Sequence, residues 1–487
     1  MGSGWRVERG CASSVLVVVV TFVAYVAAMR GEGHGDGMLY LYNHLVGHRA
    51  SATHCLAYPI VRLAEWLSQA SGIGLYHAAA AGSALGMAIG VGFAHAAWRR
   101  LGFGGVEAAG ATLVLACCPS VVLYGTVYEL HGVFFAFAGA SFRVMATYVM
   151  RPSAWRAVGM GGCAALSYLA HATGALWLGA LVLCGGAAAA DRRGGWQALG
   201  VEVPRAALAL ATGVATIFAA LALARWNGAI ASVANAARVA VSWSDSLPSE
   251  FAPAIGHPAG TVWREWLLPF FPVSLLWLAA WRGGRARCLT VALGLSLPVY
   301  VGVSWGLLGD IDEEGAYLLP LALPAVWLAR TALRGPVPAV IMAASGLAVL
   351  PTAWPQRRAD TLQTEGAELA ELAAGNAIFL MAHHADLEPL LLGAPHAEWF
   401  PLRAFTAAKP DAARALEPWT VANLRRMIGE GCDVVITARG RELLRGDWWP
   451  ENNPGAPVVA ETLHRHFRFE DVGGTAIAAY RLVPRRL

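Results

Sequence analysis

Nine apolar runs interrupt the chain at 11–29, 75–97, 105–123, 128–149, 204–224, 263–281, 288–308, 316–333 and 336–353. A helix that crosses the hydrocarbon of a bilayer needs about 20 such residues, so each run has the length of a span. A single soluble core has no room for so many, and the balance of residues agrees: 57% are hydrophobic and 14% charged, against roughly 25% charged in soluble domains. The sequence predicts a polytopic α-helical membrane protein.

The stretch 157–188 is also apolar. As one helix it would be nearly 50 Å long at about 1.5 Å per residue, more than a core of about 30 Å accepts. Two shorter helices broken at "HATG" (171–174) fit instead. Arginine supports the hairpin, because Arg151 and Arg156 precede it while Arg192 and Arg193 follow it. Cytoplasmic loops collect such residues, which puts both ends on one side. The inner loops then carry "WRR" (98–100), "RPSAWR" (151–156), "DRR" (191–193), "WRGGRAR" (281–287) and "RTALR" (330–334). The outer side receives "GDIDEEG" (309–315) and the long segments 30–74 and 225–262, giving about eleven spans with the N-terminus inside. Residues 11–29 follow Arg6 and Arg9 and are read as a retained first span in preference to a cleaved signal peptide.

Residues 1–353 thus form a transmembrane domain, and 354–487 have the composition of a soluble extracytoplasmic one. Within the latter, 357–374 read as an amphipathic helix, 376–382 and 432–438 as short strands, 421–431 as a helix, and 467–483 as a hairpin turning at Gly473-Gly474. That describes a small α/β domain. The formal charge is +4, Lys409 is the sole lysine, and no basic tract points to nucleic acid. Cysteines sit mainly inside apolar runs, at 117, 118, 163, 184 and 288, with no metal or disulfide spacing.

Ionisable groups at membrane depth are costly and default to functional roles. On the predicted orientation they gather at the outer face: Glu32, His34 and Asp36 after the first span, Glu129 and His131 in "YGTVYELHG" (124–132), His171 at the hairpin break, and Asp310, Asp312, Glu313 and Glu314 before the 316–333 run. His34, His44, His48 and His54 match no compact metal motif, although His44 and His48 can share a helix face. "HHADLE" (383–388) follows a strand end and reads most simply as a polar loop.

Several of these segments resemble the C-type membrane glycosyltransferases, which take sugars from polyprenyl-phosphate carriers, and locally the bacterial protein O-mannosyltransferase-like proteins among them. Their early Asp-Ser-Gly-Glu-Leu, Leu-Gly and His-Pro-Pro-Gly-Tyr-Pro-Leu are matched by Asp36, Gly37 and Leu39, by Val46-Gly47, and by His54 with Tyr58-Pro59-Ile60. The Pro-Pro-Gly is replaced by Cys55-Leu56-Ala57, and no second acid follows Asp36. "YGTVYELHG" resembles their acid-bearing fourth-span segment, "SYLAHATGALWL" (167–178) their short hairpin, and "EEGAYLLPLALP" (313–324) their late segment with an acid, a tyrosine and prolines.

The resemblance implies sugar transfer from a lipid-linked donor to an extracytoplasmic glycan, lipid or protein hydroxyl. Asp36 would be the base, with Glu129 or His131 orienting it or holding a sugar hydroxyl. Among the outer arginines 49, 62, 225, 238 and 264, Arg49 and Arg264 are the candidates to bind the phosphate, with His34, His54, Tyr58, His171, Glu314 and Tyr317 lining the substrate site. This reading assigns no cofactor, and a divalent ion is the one candidate. Two other classes compete with it. A lipid or solute transporter would show inverted repeats and polar groups near the midplane, and no repeat is found. A non-catalytic assembly or sensor protein would use the outer domain to bind a partner.

Overall fold

The computed structural model describes residues 4–29, 37–45, 55–226, 260, 262–278, 286–308, 315–333, 335–353, 357–382, 387–394, 397–406, 408–445, 454–472, 474 and 477–485. They fall into two compact units: Met1–Met29, Arg49–Leu63 and Ala79–Pro355 form the first, and Arg30–His48, Ala64–Ala78 and Gln356–Leu487 the second.

The helices up to residue 353 are α1 (Gly4–Ala27), α2 (Gly37–Leu45), α3 (Ala57–Ser71), α4 (Leu75–Arg100), α5 (Gly105–Ala116), α6 (Pro119–Thr126), α7 (His131–Met150), α8 (Ala154–Ala165), α9 (Ser167–Ala170), α10 (Gly174–Asp191), α11 (Leu199–Trp226), α12 (Arg287–Leu308), α13 (Ala322–Leu328) and α14 (Pro336–Ala353). Among the described residues four helices are long and apolar enough to cross a membrane, or five if the bent pair α5–α6 is one span, and several shorter apolar helices accompany them. α11 leaves Val203, Val214, Phe218 and Leu223 exposed. A helix that is apolar on its outer face suits lipid as its solvent.

Three expected spans differ from straight helices. The 105–123 run bends by 67° between α5 and α6, where Pro119 opens the second helix. The 263–281 run is a π-turn at Trp263–Leu267 followed by a short helix at Val273–Leu276, because Pro269 and Pro272 lack the N–H that a continuing helix needs. The 316–333 run opens as a 3₁₀ helix at Ala316–Leu321, tightens again at Ala329–Leu333, and carries Pro320 and Pro324. In the hairpin, α8 ends at Ala165, the short α9 ends at Ala170, and α10 begins at Gly174.

The core of the first unit is knit by α4, α7 and α10, with Phe134, Phe135, Phe142, Trp98 and Trp177 buried among small residues. Trp177 Nε1 donates to Ser141 Oγ at 2.8 Å, tying α10 to α7. At the arginine-rich end, buried Glu202 accepts from Arg193 and Arg205 at 2.9 and 2.8 Å and from the Tyr148 hydroxyl. Asp191 accepts from the backbone N–H groups of Cys288 and Leu289 at 3.0 and 2.9 Å, closing the open donors of the α12 N-terminus.

The second unit contains α15 (Arg357–Ala374), β1 (Ala377–Leu380), α16 (Leu387–Gly393), β2 (Glu398–Phe400), α17 (Pro410–Gly429), β3 (Asp433–Thr437), α18 (Ala438–Leu444), α19 (Ala456–His466), β4 (Phe467–Asp471) and β5 (Ala479–Pro484). The sheet order is β2-β1-β3-β5-β4. The first three strands are parallel, with helices in the crossovers, and β5 is antiparallel to both β3 and β4. Ile378, Leu380, Val434, Ile436, Leu463, Phe467 and Leu482 fill its core. α2 belongs to this unit and packs on α16, and His44 Nε2 lies 2.9 Å from Glu65 Oε2.

Candidate active site

Helix breaks are where a membrane protein must satisfy backbone polar groups by other means, and non-helical backbone at that depth persists only inside protein or along a wet cavity. In the first unit three such breaks meet. The first lies between α6 and α7, where residues 127–130 leave the helix. Ser83 of α4 holds this turn at Glu129: its hydroxyl donates to the Glu129 carbonyl at 2.6 Å and accepts from the Glu129 N–H at 3.0 Å. The Glu129 carboxylate is buried, takes the Leu130 N–H, and lies 3.8 Å from Nδ1 of buried His131. The contact allows an ion pair when the imidazole is protonated.

The second break, between α9 and α10, presents His171. Its Nδ1 accepts the Thr173 N–H at 3.2 Å and lies 2.8 Å from Thr173 Oγ1. With Nδ1 accepting, the neutral ring carries its proton on Nε2, which makes that nitrogen a donor. The third break is the 3₁₀ turn after Gly315, which presents Tyr317. The His131 and His171 rings lie 4.6 Å apart between centroids. Tyr317 lies 5.3 Å from His171 and 6.0 Å from His131, and Tyr124 is 4.8 Å from His131. One acid, two imidazoles and two phenols thus occupy one buried neighbourhood. Such a set can hold hydroxyls and phosphate oxygens by hydrogen bonds and can pass a proton.

Glu129, His131, His171 and Tyr317, four of the sequence candidates, are brought together here. Tyr58 lies on α3 with the Arg62 guanidinium 5.8 Å from its ring centroid. Arg264 is exposed on the 263–267 turn and makes none of the contacts above. Asp36, His34, Arg49, His54 and Glu314 lie outside the described residues, as does Arg238. Among the described residues no three His, Cys, Asp or Glu side chains form a metal-binding group.

Glu265 was not singled out by sequence, although a lone acid inside an apolar run is itself the signal. It is buried, and its Oε2 accepts the Gly315 N–H at 2.9 Å. Gly315 has φ +79°, and a Cβ there would lie 2.7 Å from Phe270 and 2.8 Å from Pro269. The backbone therefore approaches Glu265 closely, and the acid fixes the start of the turn that carries Tyr317. Glu265→Ala is expected to lower stability by about 1–3 kcal/mol, the cost of a lost charged hydrogen bond. Glu265→Gln keeps an acceptor oxygen and should recover most of the loss. Thermal unfolding of the two purified variants checks this, and equal melting temperatures would remove the contact from the account.

The fold is a polytopic α-helical membrane architecture with a small C-terminal sheet. Among solved structures it is similar to ArnT from Cupriavidus metallidurans bound to undecaprenyl phosphate, with a TM-score of 0.56 and 14% identity over 99% of this chain and 98% of that one. ArnT from the same organism in the apo state gives a TM-score of 0.51 and 15% identity over 96% and 97%. No protein-family model matches the chain, and no curated protein matches it either. At this identity the likeness establishes the fold alone.

Proposed function

We propose that the chain is an integral membrane glycosyltransferase that moves a sugar from a polyprenyl-phosphate carrier to the hydroxyl of an extracytoplasmic lipid, glycan or protein. The observation that carries this reading is the convergence of Glu129, His131, His171 and Tyr317 at three helix breaks, in a fold similar over nearly its whole length to that of a protein crystallised with undecaprenyl phosphate. The N-terminus is cytoplasmic and the C-terminal domain extracytoplasmic in this reading, in the inner or plasma membrane. The arginine distribution supports that orientation.

The reaction needs a base for the acceptor hydroxyl and stabilisation of the departing phosphate. Asp36 is the base: it takes the hydroxyl proton as the oxygen bonds to the anomeric carbon. The bond from that carbon to the carrier phosphate breaks, and its electron pair leaves with polyprenyl phosphate. Arg49 and Arg264 neutralise the leaving charge, a task that suits a planar guanidinium. Nε2–H of His171 donates to a sugar or phosphate oxygen.

Reconstituted protein should bind undecaprenyl phosphate saturably and release sugar from polyprenyl-phosphate donors without moving the carrier across the bilayer. Translocation without sugar release would replace the enzyme by a transporter. Neither binding nor release across a panel of donors would overturn the proposal.

A further inference from the structure

We propose that the second unit holds a phosphate-binding site built on Arg441, with Arg445, Arg485 and His464 around it. The guanidinium of Arg441 lies 4.9 Å from the Phe469 ring centroid and 4.6 Å from that of Tyr480. Residues Phe469 and Tyr480 stand on the paired strands β4 and β5. Two aromatic faces therefore orient one planar cation, which lowers the entropy that a long side chain loses when it engages a ligand. Its Nε is buried and has no hydrogen-bond partner.

The surrounding groups share the same sign. Arg445 follows Arg441 by four residues at the end of α18, so the two face the same way. His464, in the last turn of α19, packs its ring 4.9 Å from the same Phe469. Arg485 anchors its Nε to the Phe467 carbonyl at 3.0 Å, at the start of β4, and leaves its terminal nitrogens for a ligand. Among the described residues none of these four makes an ion pair, whereas Arg439, Arg465, Arg468 and Arg481 all do.

The cluster is also a local excess, because residues 356–487 carry seventeen acids against fifteen bases. The field is legible at His464. Partial burial first, then Arg441, Arg485 and Arg445, hold its imidazole below the usual histidine range. Arginines without an ion pair, two of them oriented by the aromatic pair and by the Phe467 carbonyl, present planar donors that match the oxygens of a phosphate, whether free in solution or at the head of a lipid.

The test uses the full-length protein in neutral phosphatidylcholine nanodiscs, with the His464 ring signal followed by NMR. Inorganic pyrophosphate should bind saturably and raise the His464 pKa, because a bound anion cancels the positive field. Arg441→Ala should weaken binding at least about tenfold, in line with the loss of a charge-assisted pair. Arg445→Ala with Arg485→Ala leaves the aromatic stack intact and should still weaken it, which separates ligand binding from any folding defect of the first variant. In a second arm, nanodiscs carrying undecaprenyl phosphate should shift the same signal without added pyrophosphate if the ligand is a lipid head, and should leave it unmoved if it is soluble. Identical pyrophosphate titrations for the parent and all variants would overturn the site.

Discussion

Asp36→Asn protein is expected to transfer sugar at least about 100-fold more slowly than the parent, the usual contribution of a positioned general base. Asparagine keeps the shape of aspartate and discards its basicity, so undecaprenyl phosphate should bind the variant with nearly parental affinity. The two readouts together separate loss of chemistry from loss of fold. The assignment comes from the resemblance of Asp36, Gly37 and Leu39 to an early acid-bearing motif, since Asp36 lies outside the described residues. A base also leaves a trace in the pH profile: the acidic limb of the parent reports protonation of the carboxylate, and the variant's residual rate should lack it. Parental transfer by the variant would remove Asp36 as the base. Glu129→Gln would then be the next variant to assay, because Glu129 is a buried carboxylate beside an imidazole.

Local patterns carried the C-terminal part well. The apolar spacing of 357–374 coincides with α15, and the runs at 376–382 and 432–438 contain β1 and β3. The hairpin expected over 467–483 is the β4–β5 pair. These elements are set by period and by β-branched content, which a short window contains. Hydropathy was less informative about backbone direction. A run such as 105–123 scores as one span whether it runs straight or turns through 67° at Pro119. Long-range assembly was not legible at all: nothing in 37–45 or 64–78 announces that these segments join the compact unit of the C-terminal sheet.

The acids and histidines were legible because charge in apolar sequence is costly and therefore conspicuous. Glu129, His131, His171 and Tyr317 were each marked by that logic or by resemblance, and the structure supplies what no pattern contains, their mutual distances. Glu265 was passed over. It carries the same signal of an acid within an apolar run, but no motif marks it, and only the close approach of Gly315 shows what it holds.

The site's dependence on backbone packing gives the second large effect, Gly132→Ala. A Cβ at Gly132 would fall on the Ser83 carbonyl oxygen and within 2.9 Å of the Ser83 Cα. The opposing Gly86 is crowded too, its own Cβ position being 2.7 Å from the Gly132 carbonyl. Helices α4 and α7 thus touch backbone to backbone, the arrangement that small residues permit between spans. No side chain can rotate away, so the helices must part. That places the variant at or above the upper end of the roughly 1–3 kcal/mol that overpacking costs. The loss should not stop at stability, since Ser83 is also the residue that holds both the N–H and the carbonyl of Glu129. Parting α4 from α7 draws the latch away from the turn, and donor binding should fall with the melting temperature. Gly82→Ala is the matched control: it lies one residue from Ser83 on the same helix, and its Cβ would meet nothing within 4 Å. Alanine there removes a flexible residue from a helix and should stabilise by about 0.5–1 kcal/mol. Unfolding of both variants in one detergent compares them directly, and a Gly132→Ala protein as stable as Gly82→Ala would mean that the two helices do not approach at these glycines.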